Sequence, residues 1–234
     1  VMNKERNYNR RYPNEYNIFR TIFYMSFLYF VVIPFMKIFY DCKISGRENL
    51  PTKAKSGKFI YTANHVSHFD PPMVTMACGR PIAYMAKKEL FQKGDKFEWL
   101  VKRLGAFAVD RTKPEIATFK TVKDILSTSW SLGVFPQGGI RPYGSDINDL
   151  KKGFIVIAKN AKADIVPVAI AEFTGYPKLK PFTRRKVRLH VGKPISYKLS
   201  PEEITYEWCK QISEYADYTN SAPNPAENKE METV

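Results

Sequence analysis

Two of the three histidines in this 234-residue chain fall in one short run, Tyr61 to Pro72 (YTANHVSHFDPP), beside Asn64 and Asp70. A histidine can take a proton from a hydroxyl at neutral pH if a carboxylate fixes its tautomer and balances the charge it gains. His65 and Asp70 have the composition for that chemistry. Five residues of separation would turn them roughly 140° apart on an unbroken helix. They can meet only if His65 sits on a turn leaving a strand and Asp70 on the first turn of the helix that follows. Pro71 and Pro72 favour a helix start there, and a carboxylate suits the positive end of the helix dipole. His68 is assigned no chemistry. Two nearby histidines could also hold a metal, but no cysteine or third ligand accompanies them, so no metal is expected. Taken singly, Asp70 could merely cap a helix and His65 merely fill a loop.

The elements that must position this pair read as an α/β layer structure. Strand-like runs cover Phe59 to Ala63, Ile82 to Ala86, Phe107 to Val109, Gly133 to Phe135, Ile165 to Ile170 and Val187 to Val191. The first ends just before His65, and in open α/β sheets ligands gather at the carboxyl ends of strands. Helical stretches intervene. From Pro114 to Trp130, Ile116, Phe119, Val122 and Leu126 recur at three- and four-residue spacing, which predicts one buried stripe. Ser200, Pro201 and Glu203 form a capping box that starts a final helix. No internal repeat is present.

Both ends differ from the centre. Residues 1–40 carry Lys4, Arg6, Arg10, Arg11 and Arg20 ahead of an apolar stretch, Thr21 to Met36 (TIFYMSFLYFVVIPFM). A membrane-spanning helix needs roughly 20 apolar residues, so the length is marginal and requires Arg20 and Lys37 to reach toward headgroups. No small-residue cleavage site follows, which argues against a secretory signal. The basic flank favours a cytosolic amino end, and a full crossing would carry the rest of the chain away from cytosolic donors. Reversal at Pro34 or docking in the plane of the membrane is therefore expected, at the cytoplasmic face. Residues 41–216 form the expected folded domain. Residues 217–234 are polar, with two prolines, and are expected to be a disordered tail.

Composition narrows the classes further. The net charge of +14 implies attraction to polyanions: nucleic acid, an anionic membrane or phosphorylated substrates. Cys42, Cys78 and Cys209 are far apart and odd in number, giving neither a disulfide framework nor a zinc site. No phosphate-binding Gly-x-x-x-x-Gly-Lys loop, dinucleotide turn, His-Glu-x-x-His or Gly-x-Ser-x-Gly elbow occurs.

The string around His65, Asn-His-x-x-x-x-Asp-Pro, resembles the signature of the glycerolipid acyltransferase family, which includes the 1-acylglycerol-3-phosphate acyltransferases. Further blocks follow in the family's order. Ala86 to Phe91 (AKKELF) is similar to its Lys-x-Glu-Leu block, and Leu104 to Arg111 (LGAFAVDR) to its second motif. Phe135 to Gly138 (FPQG) resembles its Phe-Pro-Glu-Gly-Thr-Arg motif, and Lys152 to Ile170 its last block with a Val-Pro-Val core. The closing strand with Gly192, Lys193 and Pro194 also matches. The resemblance covers about residues 40 to 200. It departs in the third motif, where Gln137 replaces glutamate, Gly139 replaces threonine and Ile140 displaces the arginine to Arg141. Glutamine keeps the size and hydrogen-bonding capacity but loses the charge.

The resemblance implies a mixed β-sheet flanked by helices and transfer of a fatty acyl group from acyl-CoA or acyl carrier protein to the sn-2 hydroxyl of lysophosphatidate. No cofactor beyond the thioester co-substrate is implied. His65 would be the general base, Asp70 its orienting carboxylate, and Lys87, Arg111 and Arg141 the cations for the acceptor phosphate. Gln137 would lie in the substrate site, with backbone donors at Gly138 and Gly139 facing the oxyanion. For Arg141 the shifted register favours a solvated charge instead. Lys178, Lys180, Arg184, Arg185, Lys186 and Arg188 read as a solvated or membrane-facing basic edge, or one that meets an acidic carrier protein. Anionic lipids are the expected polyanionic partner, and nucleic acid is not. Two alternatives stay open: acylation of glycerol-3-phosphate or another lysolipid, and a non-catalytic basic module that binds membranes.

Overall fold

A computed structural model describes residues 10–51, 59–91, 94, 96–109, 116–173 and 184–225. Among them seven strands form one sheet in the order β1-β7-β6-β2-β5-β3-β4. The strands are β1 (Tyr40–Ser45), β2 (Phe59–Ala63), β3 (Ile82–Lys87), β4 (Phe107–Val109), β5 (Ser131–Val134), β6 (Asp164–Ala171) and β7 (Arg185–Val191). Neighbours run parallel except β6 and β7, which pair antiparallel. The mixed sheet agrees with the expected architecture. Central strands buried on both faces read as continuous apolar runs, and β2 is buried at all five positions. β1 escaped the sequence reading because its run YDCKIS intersperses Asp41 and Lys43 with apolar residues, as suits the edge of a sheet.

Helices cover both faces. One core holds Met73, Val74, Met76 and Ala77 of α3 (Asp70–Cys78) against Tyr61, Val166 and Leu189. The other holds Val122 and Ile125 of α5 (Ile116–Leu126), Phe154 and Ile157 of α6 (Gly153–Ala161), and Ile204 and Trp208 of α7 (Pro201–Tyr215). The stripe expected on α5 holds only in part. Val122 and Leu126 are buried, but Ile116 is 75% exposed, and Thr118, Thr121 and Ile125 complete the inner face. The amino-terminal arm covers that face, Arg11 donating its amide to Thr121 Oγ1 at 3.0 Å. The capping box of α7 forms as read, with Glu203 N on Ser200 Oγ and Ser200 N on Glu203 Oε2.

The amino-terminal helix runs unbroken from Ile18 to Phe39 as α1 (Ile18–Phe27), a π-helical turn (Leu28–Val32) and α2 (Ile33–Phe39). Pro34 does not reverse the chain. The wider π turn lies just before it, Ile33 donating to Leu28 O, so the helix absorbs the residue that lacks an amide hydrogen. At 22 residues the helix is long enough to cross a bilayer. Yet Tyr24, Leu28 and Met36, spaced by multiples of four, are buried against the domain. Phe19, Ile22, Phe30, Val31 and Ile38 point away, each at least 50% exposed. Residues read as a membrane-associated segment thus also contribute side chains to the core. At the other end, expected disorder gives way to packing over the first residues. Tyr218 is buried, and Thr219 exchanges backbone bonds with Ser145 and Ile147. Residues 226–234 lie outside the described residues.

Candidate active site

Parallel pairing brings the carboxyl ends of β2, β5 and β3 to one edge of the sheet. The loop after β2 carries His65, and the loop after β5 carries Phe135 to Arg141. Asn64 terminates β2 with a two-way clasp. Its Nδ2 donates to Ile170 O at 2.9 Å, and Ile170 N donates to its Oδ1 at 2.7 Å. The buried amide side chain extends the β2–β6 ladder by one unit and fixes where the chain turns.

His65 is then held by four contacts. Its backbone amide donates to Gln137 Oε1 at 2.7 Å, and its carbonyl accepts from Arg141 N at 2.7 Å. Its ring stacks on Phe135, with centroids 4.3 Å apart and planes 22° from parallel. Nδ1 lies 2.6 Å from Asp70 Oδ2. A carboxylate only accepts, so this contact puts a proton on Nδ1.

Asp70 opens α3 and reaches back toward the loop, as its spacing from His65 requires. Its Oδ2 also accepts from Val66 N at 2.7 Å and Ser67 N at 2.9 Å. The carboxyl is wholly buried. Burial raises its pKa above the ordinary carboxylate value, while the His65 bond and charge and the Ser67 and Val66 amides work in the opposite direction. The three donors give the buried charge its compensation.

The third-motif loop is shaped by Gly138, whose φ of 67° lies in the left-handed region that favours glycine. Its N–H donates to Phe135 O at 3.0 Å, which removes it as the oxyanion donor expected from the sequence. Gly139 N has no such partner among the described residues. Gln137 is 1% exposed, and its Oε1 holds His65 in place. A carboxylate oxygen would accept the same bond, so the exchange of glutamate for glutamine preserves this contact.

The expected phosphate cations divide. Lys87 ends β3, on the same sheet edge as His65, and is exposed. Arg111 lies outside the described residues. Arg141 pairs with Asp149 at 2.9 Å on the surface, so its side chain is engaged there and its amide serves His65. The basic edge is also reassigned in part. Arg184, just before β7, donates to Tyr40 O, and Arg188 of β7 donates to Asp41 O and Asp41 Oδ2, so both tie this part of the chain to β1. Lys178 and Lys180 lie outside the described residues. His68 is exposed. The sequence reading placed Asn64 in the critical run without a role, and it gave none to Phe135. An amide directly after a buried strand was the available signal for the clasp. Nothing in sequence spacing reveals the stacking.

A family model described as acyltransferase matches residues 41–171. The 1-acyl-sn-glycerol-3-phosphate acyltransferase of Bacillus subtilis is 35% identical over 159 residues, 65% of this chain and 73% of that protein. Its namesake from Streptococcus pneumoniae is 32% identical over 177 residues, 74% of this chain and 63% of that protein. Among solved structures, the 1-acyl-sn-glycerophosphate acyltransferase of Thermotoga maritima superposes with a TM-score of 0.62 at 27% identity, covering 83% of this chain and 77% of that one. The sheet, the ordered motif blocks and these likenesses agree that the chain belongs to the acyltransferase family.

Proposed function

We propose that this chain is a 1-acylglycerol-3-phosphate acyltransferase, moving a fatty acyl group from acyl-CoA or acyl carrier protein to the sn-2 hydroxyl of lysophosphatidate to give phosphatidate. The observation that carries the mechanism is the 2.6 Å contact between His65 Nδ1 and Asp70 Oδ2 at the carboxyl ends of parallel strands. Neutral His65 takes the hydroxyl proton on Nε2 as the acceptor oxygen attacks the thioester carbonyl. Asp70 balances the imidazolium, and Gly139 N–H faces the oxyanion. Collapse of the tetrahedral intermediate breaks the carbon–sulfur bond, and the proton on Nε2 passes to the departing thiolate. Such base catalysis contributes about 10²- to 10⁴-fold, and positioning and oxyanion stabilisation supply the rest. Lys87 and Arg111 meet the acceptor phosphate.

The amino-terminal helix docks in the plane of the cytoplasmic leaflet. A helix whose inner stripe is packed on the domain along its length has only its outer apolar face for lipid. Exposed Lys37 on that helix supplies attraction to anionic headgroups, whereas Arg10, Arg11 and Arg20 are paired with Asp124 and Glu15. The test offers labelled acyl donors with lysophosphatidate, glycerol-3-phosphate and neutral lysolipids in parallel, to the parent and to His65→Ala. The variant is expected to lose turnover, by about 10²-fold or more, and to keep vesicle binding. Unchanged turnover would overturn the mechanism, and preference for another acceptor would overturn the substrate.

A further inference from the structure

Beneath the dyad lies a buried chain of hydroxyls that the mechanism does not use. Tyr24 Oη on α1 is 2.7 Å from Thr75 Oγ1 on α3, which is 3.1 Å from Tyr84 Oη on β3. Tyr84 Oη donates to Pro71 O at 2.9 Å. The exposures of Tyr24, Thr75 and Tyr84 are 5%, 3% and 8%, so each lost bond would leave a dry polar group. Tyr84 donates to Pro71 and Thr75 to Tyr84, while the one Tyr24 proton is shared between Thr75 and the Ile82 carbonyl at 3.2 Å.

Tyr84 meets the reacting pair from both sides. Its hydroxyl holds the carbonyl of Pro71, the residue bonded to Asp70. Its ring lies 5.8 Å from Phe135 with planes 15° apart, and Phe135 carries the imidazole of His65. The space for that ring comes from Gly133, its partner across β3 and β5. A Cβ on Gly133 would come within 2.4 Å of Tyr84 ring carbons.

We propose that Tyr84 is a positioning residue for the reaction: its ring supports the stack under His65, and its hydroxyl, backed by Thr75, fixes the helix turn that presents Asp70. This rests on the assignment of His65 and Asp70 as the reacting pair. A hydrogen-bonded support acts on the geometry of proton transfer rather than on substrate affinity, so its removal lowers kcat and leaves KM in place.

The experiment measures kcat and KM for lysophosphatidate and a long-chain acyl-CoA, using the full chain on phospholipid vesicles. Tyr84→Phe, Thr75→Val and their double variant are compared with the parent and with His65→Ala, each normalised to folded protein. Each single variant is expected to lose about 5- to 10-fold in kcat, with both KM values within about twofold. The double variant is expected to lose no more than the worse single one, because the two hydroxyls act in series. A purely structural role would lower the melting temperature and leave kcat per folded molecule unchanged, which would overturn the proposal. Losses that multiply in the double variant would overturn the serial support. Should Tyr84→Phe fail to fold, Thr75→Val alone decides, an unchanged kcat overturning the proposal. Turnover retained by His65→Ala would remove the catalytic assignment itself. Turnover lost there but kept in both hydroxyl variants would remove only the positioning role.

Discussion

Replacing Asp70 by asparagine separates the proposed role of this residue in catalysis from what it costs the fold. Asn Oδ1 can keep accepting from Val66 N and Ser67 N, which lie 2.7 and 2.9 Å from Asp70 Oδ2. What disappears is the charge beside the imidazolium. Two unit charges about 4 Å apart at an effective dielectric near 20 attract by about 4 kcal/mol, which corresponds to about 10³-fold in rate. The expected loss in kcat is therefore about 10²- to 10⁴-fold, with KM for both substrates little changed. Stability moves the other way. Burial raises the Asp70 pKa in the folded chain, and a raised carboxyl favours folding fully below its unfolded pKa and loses that contribution as pH rises through the folded value. At neutral pH the charged carboxylate is thus a cost, so Asp70→Asn should melt at the same temperature or higher. That advantage should shrink as the solution is acidified and the parent's carboxyl takes up its proton. Steady-state kinetics with calorimetry across pH tests both halves. A kcat within about tenfold of the parent, or a variant that melts lower at neutral pH than in acid relative to the parent, would refute the reasoning.

Two further outcomes follow from other parts of the structure. Asn64→Ala strips the Ile170 amide of its partner, while the Ile170 carbonyl keeps the bond that Tyr143 Oη donates at 3.1 Å, so the change should cost about 1–3 kcal/mol in chemical denaturation for the one unsatisfied buried group; a cost below ~0.5 kcal/mol would show that the clasp is dispensable. Trp130 and Trp208 are 0% exposed whereas Trp99 of α4 (Lys96–Arg103) is 60% exposed and packs edge-on against Phe23 of α1. Its emission should therefore shift to the blue and resist aqueous quenchers when anionic vesicles are added, less so at high salt, and an unchanged spectrum on bound vesicles would argue against in-plane docking of this side.

Much of this was legible in the residue string because it depends on local chemistry. The run YTANHVSHFDPP dictates a strand, a turn and a proline-assisted helix start, and five residues between His65 and Asp70 permit contact only across such a turn. The capping box of the last helix and most central strands follow from equally local preferences. The edge strand β1, the buried Thr118 and Thr121 of α5, and the ordered residues after Asp217 were hidden, because each is settled by a surface supplied from elsewhere in the chain. The same holds within the site. Gln137 accepting the His65 amide, the Arg141 amide on the His65 carbonyl, and Phe135 under the imidazole join residues about 70 positions apart. Composition and spacing determine which groups can do chemistry, but only the packing of β2 beside β5 decides which of them touch, since contacts across a sheet depend on strand order rather than on distance along the chain.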